Sequence, residues 1–444
     1  MNLPVIKNAL SNIKSICECR LNQLYSKGIP SDIAERYRKE LSYLQESSFI
    51  DDFAIFHHLS EEALKSSTFI SMRGTVMGSF LYYLLGKNSF NPLPAYYYCP
   101  ECGHYEKANT RLYGMDLTQK HCPDCGSFIW ADGFNLPLES VWGTNGQKHI
   151  SFEYNVSKEF LPFAHRVLQA LYPEYFIAPW GMFEMSHEIK SELPNECAVG
   201  INLSGYVILP KGRQIDDYPD FISYLENGDP CITGGSWELE ENMLKLVRMF
   251  SLKHIENLIS LQRATGIYAY EIRPVDLREI TWSNLFNSTL LSSSASSFFH
   301  ELRPKTFRDM VSLESSARST FTWQQGEEKW FHDFEEMIST DSFKKYPCHT
   351  REDFFDYLVE EEFDRELAFE VSERIRKGHA STGGKNNEAF LKMPIPDEMK
   401  EVAQNYRYIF PRAHCIEYML LYARLAYYAK RDSRAYSKIV IKKK

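Results

Sequence analysis

Two cysteine pairs constrain this chain more than any other feature. In YYYCPECGHYEKANTRLYGMDLTQKHCPDCGSFIW, Cys99-Pro-Glu-Cys102 and Cys122-Pro-Asp-Cys125 are separated by 19 residues, and a glycine follows each pair. A Cys-x-x-Cys-Gly turn points both sulfurs inward, and the glycine supplies the backbone freedom the turn needs. Two such knuckles at this spacing predict a tetrahedral four-cysteine zinc site at Cys99, Cys102, Cys122 and Cys125. Four thiolates leave no open coordination position, so the predicted zinc is structural and not catalytic. Sites of this kind contribute on the order of 10 kcal/mol to folding. The remaining cysteines, Cys17, Cys19, Cys197, Cys231, Cys348 and Cys415, show no pairing and read as buried thiols.

With 444 residues the chain has material for two or three domains and a sizeable core. Its formal net charge of −9 argues against binding nucleic acid through bulk charge, so any such contact requires a local basic surface. No secretory signal is visible in MNLPVIKNALSNIKSICECR, and the longest apolar run, FLYYLLG, is far short of a membrane span. The expectation is a cytoplasmic protein without a membrane segment.

Along the chain, residues 1–65 read as helical, with Ser31 as an N-cap. A short strand, a glycine-rich turn and a helix from about Ser79 follow. Strands are predicted at HISFEYN and GYVILP, and a strand then a helix in SWELEENMLKLVRMFSLKHIENLISLQRATG, stopped at Gly266. The serine-rich NSTLLSSSASSFF reads as a loop. Thr350 and Asp353 form a capping-box pattern, Gly378 a helix stop, and EEEFDRE a solvated helix face. FPRAHCIEYMLLYARLAYYAKR reads as an amphipathic or buried helix, and the chain ends in a basic tail.

Two stretches carry candidate chemistry. SMRGTVMGSF places Gly74 and Gly78 ahead of a helix start, where backbone N–H groups can meet phosphate and Arg73 can pair with it. Read alone, the stretch is neither GxGxxG nor a P-loop, and a structural strand-to-helix turn is the better description of it. In HISFEYN, side chains two apart share a face, so Ser151 and Glu153 point the same way. A serine therefore stands where a second acid would complete a metal-binding pair.

Several stretches, taken in order, resemble one family, the PolC-type alpha subunit of bacterial DNA polymerase III. RGTVMGSF…NPLPAYYYCPECG is similar to its glycine-serine loop and first zinc knuckle, and CPDCGSFIWADGFNLPLESVWG to the second knuckle and the approach to the catalytic strand. ELRPKTFRDMV, RIRKG and YIFPRAHCIEYMLLYARLAYY resemble successive finger elements. The likeness runs from about residue 30 to 440 and covers only the palm, thumb and fingers portion. It implies an α+β fold: a C-family, polymerase-beta-like palm with a zinc-ribbon insertion and helical thumb and fingers. The implied segments are 1–95 (palm/thumb-like helices and glycine loop), 96–135 (zinc ribbon), 136–285 (palm-like core) and 286–444 (fingers-like helices).

The family holds two magnesium ions on three aspartates, for in-line phosphoryl transfer. By that resemblance Ser151, Glu153 and Val247 occupy the three acidic positions, so one carboxylate remains and no catalytic residue is assigned. Magnesium, a hard ion that wants carboxylate oxygens, is not expected to bind as a pair. The resemblance assigns Arg73, Gly74, Gly78, Ser79, Arg412 and His414 to nucleotide binding, and Arg303, Lys305, Arg376 and Lys377 to nucleic acid. The leading expectation is a catalytically inactive homologue that binds nucleic acid, nucleotide or a replication partner. Two alternatives stand beside it: an active nucleotidyltransferase in which Glu153 teams with Glu238, Glu240 or Glu241, and a protein-interaction scaffold.

Overall fold

The computed structural model describes residues 5–86, 90–184, 200–287, 296, 299–300, 302–323 and 327–441. Most of the serine-rich stretch and Cys197 lie outside them.

Three helices, Ala9–Leu24, Ser31–Glu46 and Ile50–Lys65, open the chain as expected. Ser31 is the first helical residue, with Pro30 at the cap, so the predicted serine cap is corrected by one residue. Then come β1 (Ser71–Arg73), a single tight turn over Thr75–Gly78, and the helix Phe80–Leu85, which Ser79 caps by accepting from the Tyr82 amide at 3.3 Å. The cysteine module contributes β2 (Tyr96–Tyr98), β3 (Tyr105–Lys107), β4 (Lys120–His121), β5 (Phe128–Ile129) and β6 (Ala131–Asp132). After it come β7 (Glu153–Val156), β8 (Ile177–Glu184), β9 (Gly200–Ile208), β10 (Ile222–Tyr224), β11 (Pro230–Ile232) and β12 (Lys245–Ser251).

A seven-stranded mixed sheet orders these as β1-β7-β12-β9-β8-β11-β10. β7 is antiparallel to β1 and parallel to β12. The register sets Arg73, Glu153 and Arg248 side by side across three neighbouring strands. Gly205 makes the β9–β12 approach possible: it adopts φ +144°, and a Cβ there would lie 2.2 Å from the Val247 carbonyl oxygen.

Beyond the sheet the described chain is mainly helical. The helix Lys253–Thr265 ends at Gly266 in the left-handed region, as the sequence predicts. Thr350 and Asp353 form the expected cap, the Thr350 amide donating to the carboxylate at 2.7 Å. Gly378, φ +72°, follows the helix Arg365–Arg376, and the Arg407 carbonyl oxygen would sit 2.3 Å from a Cβ there. The acidic run is solvent-exposed, but it forms the connection between the helices Arg351–Glu360 and Arg365–Arg376 and not a helix face. Glu362 turns the chain there with φ +65°. The helix Arg412–Arg431 is buried along most of its length and belongs to the main core. That core is one apolar cluster from Ile6 to Val440, drawing on all four segments, 96–135 included through Tyr96, Tyr113, Met115 and Phe134. Small separate clusters form inside the cysteine module and around β8, β9 and β11. Cys17, Cys231, Cys348 and Cys415 are buried as expected, whereas Cys19 is exposed. No described helix is long and apolar enough to cross a membrane.

Candidate functional site

The cysteine module comes first because its geometry follows directly from local sequence. Gly103 (φ +84°) and Gly126 (φ +75°) close the two knuckles, and their amides donate to the Cys99 and Cys122 carbonyls at 2.9 Å each. All four Sγ atoms lie within 4.8 Å of one another, with Cys99–Cys125 and Cys102–Cys122 both at 3.5 Å. In a tetrahedral four-thiolate site with bonds of about 2.3 Å the sulfurs stand about 3.8 Å apart, so the set fits such an ion. The arrangement can hold a metal and leaves it no substrate position.

The second centre is built on the sheet. Glu153, at the start of β7, is gripped from both sides: Arg73 Nε lies 3.2 Å and Arg248 Nη1 2.8 Å from its carboxylate. Arg73 also stacks on Phe250, 3.8 Å from the ring centroid. These side chains are about a quarter exposed and sit beside a cleft of about 610 Å³, lined by Glu153, Arg248, Ser151, His149, Lys245 and Glu240 among others. Asp51 and Asp52, which also line the cleft, are engaged too. Asp52 pairs with Lys245 at 3.1 Å, and Asp51 accepts from the Ile6 amide and, at 3.0 Å, from the Tyr172 hydroxyl. Ser151 has a structural role. Its hydroxyl accepts from the Thr75 amide at 3.0 Å while its own amide donates to the Thr75 hydroxyl at 3.1 Å. This double tie sews β7 to the glycine turn. Gly74 must be glycine there, since it has φ +109° and a Cβ would meet the Ser151 carbonyl oxygen at 2.6 Å.

Val247 faces away from Glu153, buried opposite Tyr206 in the main core. Side chains alternate along a strand, so Arg248, and not Val247, projects beside Glu153. A divalent ion bound to Glu153 would sit within ~5 Å of two guanidiniums, a repulsion of several kcal/mol before solvent screening. Among the described residues two groups gather three or more metal-ligating side chains: the four cysteines, and the trio His332, Asp333 and Glu336. Neither includes Glu153, Glu238, Glu240 or Glu241. Glu238 instead caps its own helix, accepting from the Gly235 amide at 2.8 Å.

The expected phosphate set divides. Ser79 is fully buried, and its hydroxyl donates to Glu40 at 2.6 Å. The Phe80 and Leu81 amides donate to the same carboxylate, which Arg36 pairs at 2.6 Å. An internal anion thus fills the helix start where phosphate was expected. Gly78 packs against Val141, 2.7 Å from where its Cβ would be, and its carbonyl accepts from Arg36. Arg412 is buried and saturated, donating to Asp353 (2.9 Å), Asp356 (2.6 Å) and the Asn135 carbonyl (2.6 Å). Gly78, Ser79 and Arg412 are thus each held by internal partners in this structure. His414 stacks on Tyr418, 5.0 Å between rings. Burial, reinforced by the Arg318 and Arg73 charges, lowers its pKa to about 3, so it is neutral. Arg303, Lys305 and Lys377 are exposed, and Arg376 pairs with Glu373 at 3.0 Å. Sequence reasoning missed Arg248 and Glu40. Only the Arg36–Glu40 spacing on one helix hinted at the second.

Residues 11–184 match the family described as bacterial DNA polymerase III alpha NTPase domain. The chain is 25% identical to the DNA polymerase III PolC-type of Caldanaerobacter subterraneus subsp. tengcongensis, the alignment covering 96% of this chain and 33% of that protein. It is 23% identical to the PolC-type enzyme of Thermotoga maritima and 24% to that of Bacillus subtilis, again across 96% of this chain but only 34% and 32% of theirs. The chain spans about a third of the length of the curated relatives it matches. The chain is PolC-like in part: it is similar to these DNA polymerase III proteins across 96% of its own sequence, and the family match covers residues 11–184.

Proposed function

We propose that this chain is a non-catalytic PolC-like polymerase homologue that binds DNA or a replication partner in a regulatory or accessory role. One observation carries the reading: in the row Arg73–Glu153–Arg248, guanidiniums occupy both sides of the single carboxylate left where the family's metals would bind. Two-metal transfer needs several carboxylate oxygens converging on two divalent ions. Here the net charge of the row is positive, and the serine beside it is committed to the backbone of the glycine turn. The four cysteines hold a structural zinc that braces the module, and the protein works in the cytoplasm.

Primer extension in Mg²⁺ and in Mn²⁺ tests the reading. The expected result is no templated incorporation by the purified chain in either metal. Incorporation that disappears in Glu153→Ala would overturn it. Salt-sensitive gel-shift binding to primer-template separates nucleic-acid binding from a purely protein-directed role.

A further inference from the structure

A second cleft, of about 650 Å³, opens where the cysteine module meets residues 273–280 and the last turns of the helix Arg412–Arg431. Trp130, between β5 and β6, stands at its wall and is 45% exposed. Its ring is held from behind. The Arg278 guanidinium lies 4.6 Å from the ring centroid and donates to the carbonyls of Leu117 (2.7 Å), Gly114 (2.8 Å) and Ala131 (3.0 Å). Arg278 is thus fixed against the ring by backbone oxygens, while the Asp132 and Asp116 carboxylates act on its charge from a distance. Tyr427 lines the same cleft, with the Arg431 guanidinium 5.2 Å from its ring centroid. Phe128, 48% exposed, stands edge-on to Trp130 at 6.0 Å and extends the aromatic surface.

Four cations line this cleft, Arg273, Arg278, Lys430 and Arg431, against two carboxylates, Asp276 and Glu279. The carboxylates pair with Arg273 (3.2 Å) and Lys430 (2.8 Å), and both pairs are largely solvated. Pairs of that kind are weak and exchange partners readily. The result is a locally positive, aromatic groove on a chain whose net charge is −9. Ring faces backed by guanidiniums, beside cations spaced along a groove, are the chemistry of single-stranded nucleic acid: bases stack whatever their sequence, and the cations follow the phosphates. A duplex keeps its base faces covered, and an acidic peptide would leave the rings unmatched.

We infer that this cleft binds single-stranded nucleic acid, with bases stacked on Trp130 and Tyr427 and phosphates met by Arg273, Lys430 and Arg431. The site uses neither the Glu153 centre nor divalent ions.

The test is fluorescence anisotropy of the full chain with a labelled oligothymidylate of about 12 nucleotides, titrated against salt and compared with a blunt duplex. Saturable, salt-sensitive binding that prefers the single strand and quenches tryptophan emission is expected. Trp130→Ala weakens it about tenfold, Trp130→Phe keeps most of the affinity, and the exposed pair Lys430→Glu/Arg431→Glu weakens it and flattens the salt dependence. Because Trp130→Phe and the charge pair leave the buried framework intact, loss through misfolding is distinguishable from loss of contact. The inference is overturned if Trp130→Ala binds like the parent, if duplex binds as tightly as single strand, or if polyglutamate competes as well as oligonucleotide. Primer extension by the parent chain would overturn the non-catalytic reading and leave this site standing. Unchanged binding in the Trp130 and charge variants would do the reverse.

Discussion

At the scale of single residues, the decisive contrast lies between two glutamates. Glu153 is partly solvated and shared between Arg73 and Arg248. Glu40 is completely buried, holds Arg36, and accepts from Ser79 and from two helix amides. Glu153→Gln is expected to cost only about 1 kcal/mol of stability, because pairs that remain partly solvated are weakly coupled and the amide keeps the side chain's shape. Glu40→Ala is expected to cost about 3 kcal/mol or more, since it strands a partly buried guanidinium and the helix-start donors. Urea denaturation of both variants checks the ranking, and equal losses would contradict it. The serine in the place of an acid came from the family resemblance; the strand period offered for it does not hold, because β7 begins at Glu153 and Ser151 precedes it. Arg248 was not legible: a three-residue motif locates a segment but does not say which residues the pleat turns toward the cleft. Glu40 was largely hidden: its i,i+4 pairing with Arg36 is local, but its contacts to Ser79, Phe80 and Leu81 join residues about forty positions apart.

Among the elements, the cysteine module was the most readable, because its spacing and its two glycines determine the knuckles locally. Its own core is a handful of buried residues: Tyr97, Cys99, Cys122, Ile129 and Ala131. A core that small does not sustain a fold without a staple. Metal removal by chelation, or Cys122→Ser, is expected to expose the amides of β2 through β6 to hydrogen exchange while β7, β9 and β12 stay protected. Unchanged protection across residues 96–132 after metal removal would contradict this. The same element scale explains the capping box at Thr350 and the stops at Gly266 and Gly378, each set by one or two residues. The solvated acidic run was read correctly for exposure and wrongly for conformation, since charge dictates solvation while the left-handed Glu362 makes the turn.

For the whole molecule, stability should depend on pH through groups buried in the shared core. Burial lowers the pKa of His349 to about 4, from an ordinary 6.5. It also lowers His414 to about 3, helped by the Arg318 and Arg73 charges. Both are neutral when folded and gain protons on unfolding. Their contribution is therefore complete above about pH 6.5 and is lost as pH falls toward 4 and 3. Asp353 adds to the loss: burial pushes it up, but Arg412 and Arg308 hold it well below the usual range, so its pairing disappears at low pH. Glu417 acts oppositely. Burial raises it to about 7, so its contribution is present below its unfolded value of 4.5 and is lost as pH rises through 7. The urea midpoint is expected to fall steadily from pH 6.5 to 4, and Glu417→Gln to raise it above pH 7. A flat profile over the acid range would contradict the buried, neutral histidines. None of these pKa shifts could be read from sequence, because each depends on desolvation by segments distant along the chain.

A non-catalytic role requires that the Glu153 cleft be unable to hold a pair of divalent ions. Mn²⁺ binding, followed by water-proton relaxation with primer-template and nucleotide present and the cysteine site filled with zinc, measures this directly. The predicted result is no saturable Mn²⁺ site attributable to Glu153. Two bound Mn²⁺ ions per chain, lost in Glu153→Ala, would contradict it.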